Sequence, residues 1–349
     1  MSKDTALRFG AFAVTNRYPG QSDAQVLNRA LAAVDAAEQA GFDDIWITEH
    51  HFNDYGVNPS GLTFAANILG RTKRMRVGTA VTILPLHSPV HTAEQVALLD
   101  HVSGGRFDLG VGRAEPVLDY EAIGHGVEYW QRGLAESLDL LLQSFGGKVS
   151  SDTDLYRFRE VRPQPRPLTT PHPPVYVASN SQSSLELAAR QGLPMLLFYD
   201  KNDVTKAEMV ARHSELAAAA GHPRDGYDHA FAVFTQVNDT VAEAQHLVRD
   251  VTMPALAAAQ ADYHHLIETK THFEPEAFIG RFGSYVLGNH PVGTPDMCIE
   301  RLVRSIRVSG CRRVLCEVLA SGDDEGTLTN IRRLGAEVLP EVRARLAGD

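Results

Sequence analysis

Residues 7–49, LRFGAFAVTNRYPGQSDAQVLNRALAAVDAAEQAGFDDIWITE, hold one complete strand, helix and strand, and this passage decides the fold. The run 7–14 is apolar and bounded by the turn signal Tyr18-Pro19-Gly20, which predicts a buried strand. Over 24–40, Val26, Leu27, Ala30, Leu31, Val34 and Ala37 recur at the i, i+3, i+4 spacing of a core-facing helix stripe that stops at Gly41. A second apolar run follows at 44–49. An open dinucleotide-binding sheet would carry G-x-G-x-x-G straight after its first strand, and residues 9–16 run into Tyr18-Pro19-Gly20 without it.

Outward from this unit the same alternation continues. Further strands are predicted at 76–84, 106–112, 174–179, 194–198, 229–237 and 312–319, which makes eight with 7–14 and 44–49. Helical patterns lie between them at 90–102 after Pro89, at 129–145 before Gly146-Gly147 and at 181–190 before Gly192. Eight consecutive βα units favour an α/β fold closed as a single (β/α)8 TIM barrel, because closure leaves no strand edge exposed. One domain over 1–349 is expected, with insertions at about 148–173 and 267–292. The second insertion reads as a surface loop or as a lid, since a barrel carries its function at the C-terminal ends of the strands.

The 349 residues are 44% hydrophobic and 22% charged, enough for one large core, and the net charge of -10 argues against a nucleic-acid partner. No run approaches the roughly 18 uninterrupted apolar residues of a membrane span, and the first residues lack an apolar leader, so a soluble cytoplasmic protein is expected. Cys298, Cys311 and Cys316 have neither disulfide-framework nor zinc-knuckle spacing and read as reduced core thiols.

Chemistry-bearing residues gather at the predicted strand ends. The second strand runs out into Glu49-His50-His51-Phe52, and the period of two sends Glu49 and His51 one way and His50 the other. Arg113 follows the fourth strand and Arg132 lies early in the next helix, two guanidiniums suited to a phosphate. After the fifth strand, Ser179-Asn180-Ser181-Gln182-Ser183-Ser184 enters a helix N-terminus, where backbone N–H groups meet an anion. A phosphate site without a P-loop lysine or a dinucleotide fingerprint fits a mononucleotide such as FMN. The plainer readings are a structural histidine pair, surface ion pairing and ordinary helix capping.

Seven segments resemble the luciferase-like flavin-dependent monooxygenase superfamily, with the bacterial luciferase α-subunit branch nearest. They are Gly41-Phe42-Asp43 leading to Trp46, Glu49-His50-His51-Phe52, Gly78-Thr79-Ala80 with Leu84-Pro85, Ser103-Gly104-Gly105-Arg106-Phe107, Pro174-Val175-Tyr176-Val177, Gly192-Leu193-Pro194-Met195 and Pro291-Val292-Gly293-Thr294-Pro295. Their order spans nearly the whole chain. The resemblance implies a monooxygenase that takes FMNH2 from a separate reductase, activates O2 as a flavin C4a-peroxide and oxidises an organic substrate. It implies that His50 is the catalytic histidine with Glu49 and His51 beside it, and that Ala80-Val81 is a cis peptide under the flavin ring. It makes Arg113, Arg132, Ser181, Ser184 and the backbone of Asn180 the phosphate cradle, and Tyr199 an aromatic near the isoalloxazine. It further implies a homodimer through the helices after strands two and three, where 61–70 with Ala65-Ala66 is small enough for close contact.

Two departures stand out. Gly112 replaces a reactive cysteine of luciferase and leaves more room there, and 267–290 matches the luciferase mobile loop poorly. The long-chain aldehyde therefore does not carry over, and an aromatic or polyketide biosynthetic intermediate is the alternative. The rival functions are a deazaflavin (F420)-dependent oxidoreductase of the same superfamily, a non-catalytic flavin-binding protein, and a zinc hydrolase with His50, His51, His87 and His91 as ligands.

Overall fold

Eight parallel strands close on themselves in the computed structural model, which describes residues 6–113, 117–266, 273–319 and 322–348. They are β1 (Arg8–Ala13), β2 (Asp44–Ile47), β3 (Arg76–Thr79), β4 (Phe107–Gly112), β5 (Val175–Ala178), β6 (Met195–Leu197), β7 (Ala230–Phe234) and β8 (Arg313–Glu317). Each pairs with the next in chain order, and β8 closes the ring on β1 with Arg8 opposite Arg313. All eight lie where the apolar runs put them. The two-residue strand Thr82–Ile83 adds to the end of β4.

Helices return the chain between strands, and their ends obey local chemistry. The helix Asp23–Gln39 opens on a capping box in which Ser22 and Gln25 satisfy each other's backbone N–H. Pro89–Ser103 starts with Pro at its first position and stops at Gly104 in the left-handed conformation. No helix among the described residues is long and apolar enough to cross a membrane.

The strand period of two divides the core. Phe9, Ala11, Ile45, Ile47 and Val77 point outward against the helices, whereas Phe12, Trp46, Tyr176, Leu196 and Leu315 fill the interior. Trp46 is wholly buried and fits because Gly78 faces it, where a Cβ would stand 2.5 Å from the indole ring.

Below this layer lies an ionic plug. Arg313, 1% exposed, reaches Asp108 at 3.0 Å, Asp228 at 3.2 Å and Asp44 at 3.6 Å, and donates to the Tyr176 hydroxyl at 2.7 Å. Trp46 Nε1 donates to Asp44 at 2.7 Å. Burial pushes Asp44 up to about 6, and Arg313 only partly offsets it. The same burial acts on Asp108, yet Arg313 and the adjoining Arg76 outweigh it and hold that carboxyl below its usual range.

Both insertions contain structure that the sequence pattern hid. Within 148–173, Val149–Asp152 and Arg157–Val161 form an antiparallel hairpin. Within 267–292, residues 267–272 lie outside the described residues, and Pro275–Asn289 is a helix rather than a loop. Phe278, Phe282, Tyr285 and Val286 supply its apolar face, and Gly280, Gly283 and Gly288 dilute the periodicity that would have revealed it.

Removing the cation from the plug leaves buried carboxylates without compensation, so Arg313→Met is expected to cost about 3–5 kcal/mol. Urea unfolding checks this, and a loss below about 1 kcal/mol would mean the plug does not hold the barrel floor.

Candidate active site at the barrel mouth

Glu49, just past β2, organises the mouth. Its side chain is 1% exposed and accepts from His87 Nε2 at 2.7 Å, His51 Nε2 at 3.3 Å and the Gly61 N–H at 3.3 Å. Gly61 begins the helix Gly61–Arg71, so the carboxylate also sits at a helix N-terminus. Burial opposes its charge, but the bonds from His51 and His87 outweigh this and hold the carboxyl at about 2. Burial likewise opposes a charge on His87, and Glu49 overrides it, raising that imidazole above its ordinary value.

His50 points the other way, as the strand period requires. Its ring stands edge-on to Tyr55 at 4.8 Å, and Nδ1 is enclosed without a hydrogen-bond partner. A Cβ at Gly56 would come within 2.4 Å of that nitrogen. Burial, then the neighbouring His51, push His50 down to about 4 against the weaker pull of Glu49. The imidazole is therefore neutral near pH 7, and Glu49 does not make it an imidazolium. The four histidines do not converge, because His51 and His87 both serve Glu49 while His91 is exposed beside Glu94. Among the described residues no group of three or more His, Cys, Asp or Glu could hold a metal ion.

At the end of β3 the Ala80–Val81 peptide bond is cis, and both residues are half-buried. The room left by Gly112 is taken by Val81, since a Cβ at 112 would stand 2.7 Å from Val81 Cγ2. Backbone pairing accounts for the close approach: Thr82 and Ile83 lie opposite Val111 and Gly112.

Arg113, half-buried after β4, stacks on Trp130 with its guanidinium carbon 4.2 Å from the ring centre and has no carboxylate partner among the described residues. Arg132, two positions beyond Trp130 on the helix Val127–Gly146, is instead exposed and pairs with Asp154 at 3.6 Å. After β5, Asn180 is exposed. Ser181 and Ser184 form a capping box on the helix Gln182–Arg190, with bonds of 3.2 and 3.1 Å to each other's backbone N–H.

The far side of the mouth holds an open pocket at the ends of β1 and β8. Tyr199 lines it, buried, sharing a 2.6 Å hydroxyl contact with Tyr55 and packing on Phe234 and Phe282. The helices Met253–Leu266 and Pro275–Asn289 border this side through Leu256 and Phe282. Three polar groups here escaped the sequence reading. His87, a metal-ligand candidate by residue type, serves Glu49 instead. Asp119 is buried with its Oδ1 unpartnered among the described residues and is pushed up to about 6 by burial, with His51 opposing and Glu49 adding to the shift. Glu317 ends β8 and lines the cavity. The strand-end position of Glu317 was a usable signal, whereas Asp119 lies on the short helix Val117–Ile123 that no periodicity marks.

Comparison with known proteins bears on the fold and the family. The chain is 29% identical over 357 residues to the alkanal monooxygenase alpha chain of the Kryptophanaron alfredi symbiont, covering 97% of this chain and 99% of that one. Its fold matches monooxygenase RslO1 from Streptomyces bottropensis with TM-score 0.81 at 23% identity, over 96% and 99% of the two chains. It also matches the oxygenating constituent of 3,6-diketocamphane monooxygenase from Pseudomonas putida, in complex with FMN (TM-score 0.77, 18% identity, 96% and 98% covered). An F420-dependent secondary alcohol dehydrogenase shares the fold too (TM-score 0.75, 18% identity, 97% and 100% covered). Residues 7–313 match the model of the luciferase-like monooxygenases, and the chain belongs to that family of flavin-dependent enzymes.

Proposed function

We propose that this chain is the oxygenating component of a two-component system. In this reading it binds FMNH2 delivered by a separate reductase and inserts oxygen from O2 into an organic substrate of aromatic or polyketide character. The observation that carries the proposal is Arg113, a half-buried guanidinium stacked on Trp130 and without a carboxylate partner among the described residues, together with a helix N-terminus at Ser181 and a neutral imidazole at His50, all at strand ends of one barrel.

These residues fit a flavin mononucleotide. Arg113 and the N–H groups at the start of Gln182–Arg190 would hold the phosphate, and the backbone of Asn180 would contribute. Arg132 would join by leaving its exposed pair with Asp154, a contact worth little. Ala80 and Val81 would support the ring, and Tyr199 would pack beside it. Reduced flavin, when bound, supplies the electrons that activate O2. His50 is suited to accept a proton there because it is neutral, and Glu49 keeps His51 and His87 in place through its hydrogen bonds. The tyrosine-rich cavity favours a flat, largely apolar substrate.

We further infer one domain over the chain, a cytoplasmic location and a homodimer. Leu98 and Val102, 52% and 68% exposed, lie one turn apart on Pro89–Ser103 next to the small residues of Gly61–Arg71, an apolar face suited to a second copy.

Removing a charge-assisted phosphate contact is expected to weaken FMN binding by about 1.5–3 kcal/mol in Arg113→Ala, while riboflavin, which lacks the phosphate, binds both proteins equally. Calorimetric titration checks this. Equal FMN affinity in the variant would displace the phosphate site, and tight binding of F420 in place of FMN would favour the deazaflavin reading.

With FMN, a flavin reductase and O2, His50→Ala is expected to lower turnover by about 10² to 10⁴ and leave FMN affinity and melting temperature near wild type. Because burial holds His50 at about 4, turnover limited by its neutral form stays level from pH 6 to 8. Chelator should not change the rate. A lowered melting temperature with normal specific activity would make His50 a packing residue.

A further inference from the structure

We propose that Glu317 is a hydrogen-bond donor to a carbonyl oxygen of an aromatic ketone or quinone bound in the cavity beside β8, and so decides which substrates the mouth accepts. This rests on reading the mouth as the substrate site and adds the functional group that the substrate must present.

The geometry leaves one oxygen of this side chain without a partner. Glu317 is 4% exposed, and its Oε1 accepts the Leu319 N–H at 2.8 Å. Its Oε2 is buried and makes no hydrogen bond among the described residues. The surrounding hydroxyls are engaged elsewhere: Tyr18 donates to the Leu319 carbonyl at 2.9 Å, and Tyr55 and Tyr199 share their 2.6 Å contact. Arg29 is the cation whose field reaches Glu317, but its guanidinium donates to the Asn16 carbonyl at 3.0 Å and to Gln21 at 2.9 Å. Burial raises the carboxyl to about 8, and the Leu319 and Val14 N–H groups and Arg29 only moderate this. Near pH 7 the group is therefore a neutral acid. Since Oε1 accepts from the backbone, the proton belongs on Oε2.

A buried O–H without an acceptor is costly, and natural structures rarely leave one unpaired. The cavity walls beside it are mostly Val14, Phe234, Leu256, Leu319 and the tyrosine rings, with Asn16 and Thr252 the other polar groups, a lining that suits a flat, largely apolar body rather than a charged one. A carbonyl on such a body supplies the missing acceptor. A cation would require Glu317 to ionise, against its burial.

Binding of 1-tetralone, a bicyclic aromatic ketone, and of tetralin, the same skeleton without the oxygen, tests the proposal on the purified full-length protein with and without FMN. Wild type is expected to prefer tetralone by about tenfold, Glu317→Gln to keep most of that preference through its amide N–H, and Glu317→Leu to lose it to within about twofold. A second measurement needs no variant. Between pH 6.5 and 9.5 the wild-type preference should collapse as Glu317 ionises. The facing tyrosines do not titrate in that window, because burial pushes Tyr18 and Tyr55 up to about 12 and raises Tyr199 well above its ordinary value. An unchanged preference in Glu317→Leu or at pH 9.5, or no binding of either compound to wild type, overturns the proposal. FMN affinity, measured in the same samples, separates this from the flavin reading: protein that fails to bind FMN yet shows the Glu317-dependent preference refutes only the latter.

Discussion

A single guanidinium sealed inside the barrel sets the terms for the rest of the molecule. Arg313 begins β8, reaches three acidic side chains and Tyr176, and lies under Trp46, so one end of the barrel is filled and its carboxylates share a cation. The paired desolvation of Arg313 with Asp44 and Asp108 is tolerable only because each partner is present. With that end plugged, polar chemistry has room only at the other end, where the strands finish. The same alternation that turns Arg313 inward at the start of β8 turns Glu317 inward at its end.

Two buried glutamates at the mouth are held in opposite states by their surroundings. Glu49 receives two imidazoles and a backbone N–H and stays ionised down to about pH 2. Glu317 receives backbone N–H groups but no close cation, and burial prevails, pushing it up to about 8. His50, between apolar and aromatic neighbours, is kept neutral. A neutral base and a neutral acid thus coexist around one opening at ordinary pH, the separation of proton affinities that acid–base chemistry in an enclosed site requires. The flavin-type cofactor of the family would complete this arrangement.

Much of this was legible from residue order. The eight strands stand where apolar runs alternate with capped helices, and the period of two anticipated that His51 and not His50 would lie beside Glu49. The cis bond at Ala80–Val81 followed from resemblance alone, since no propensity rule places it. Other features depend on contacts between distant segments. Glu49 and His87 are 38 positions apart, and nothing local says that they meet. Arg132 has the same residue type as Arg113, but the turn of its helix sends it to Asp154 on the hairpin that the Pro-rich insertion concealed. The helix Pro275–Asn289 was hidden by its glycines, which cost helix propensity without disturbing the aromatic face that packs near Tyr199 and Phe234.

If the strand ends form one flavin-dependent oxygenation site, the phosphate lies at β4 and β5. A crystal structure of the protein saturated with FMN tests it most directly. The isoalloxazine is expected against Ala80 and Val81, the phosphate within hydrogen-bond distance of Arg113 and the N–H groups at Ser181–Ser184, and His50 beside the ring. Electron density for FMN elsewhere on the barrel, or with its phosphate in the cavity beside Glu317, would contradict it.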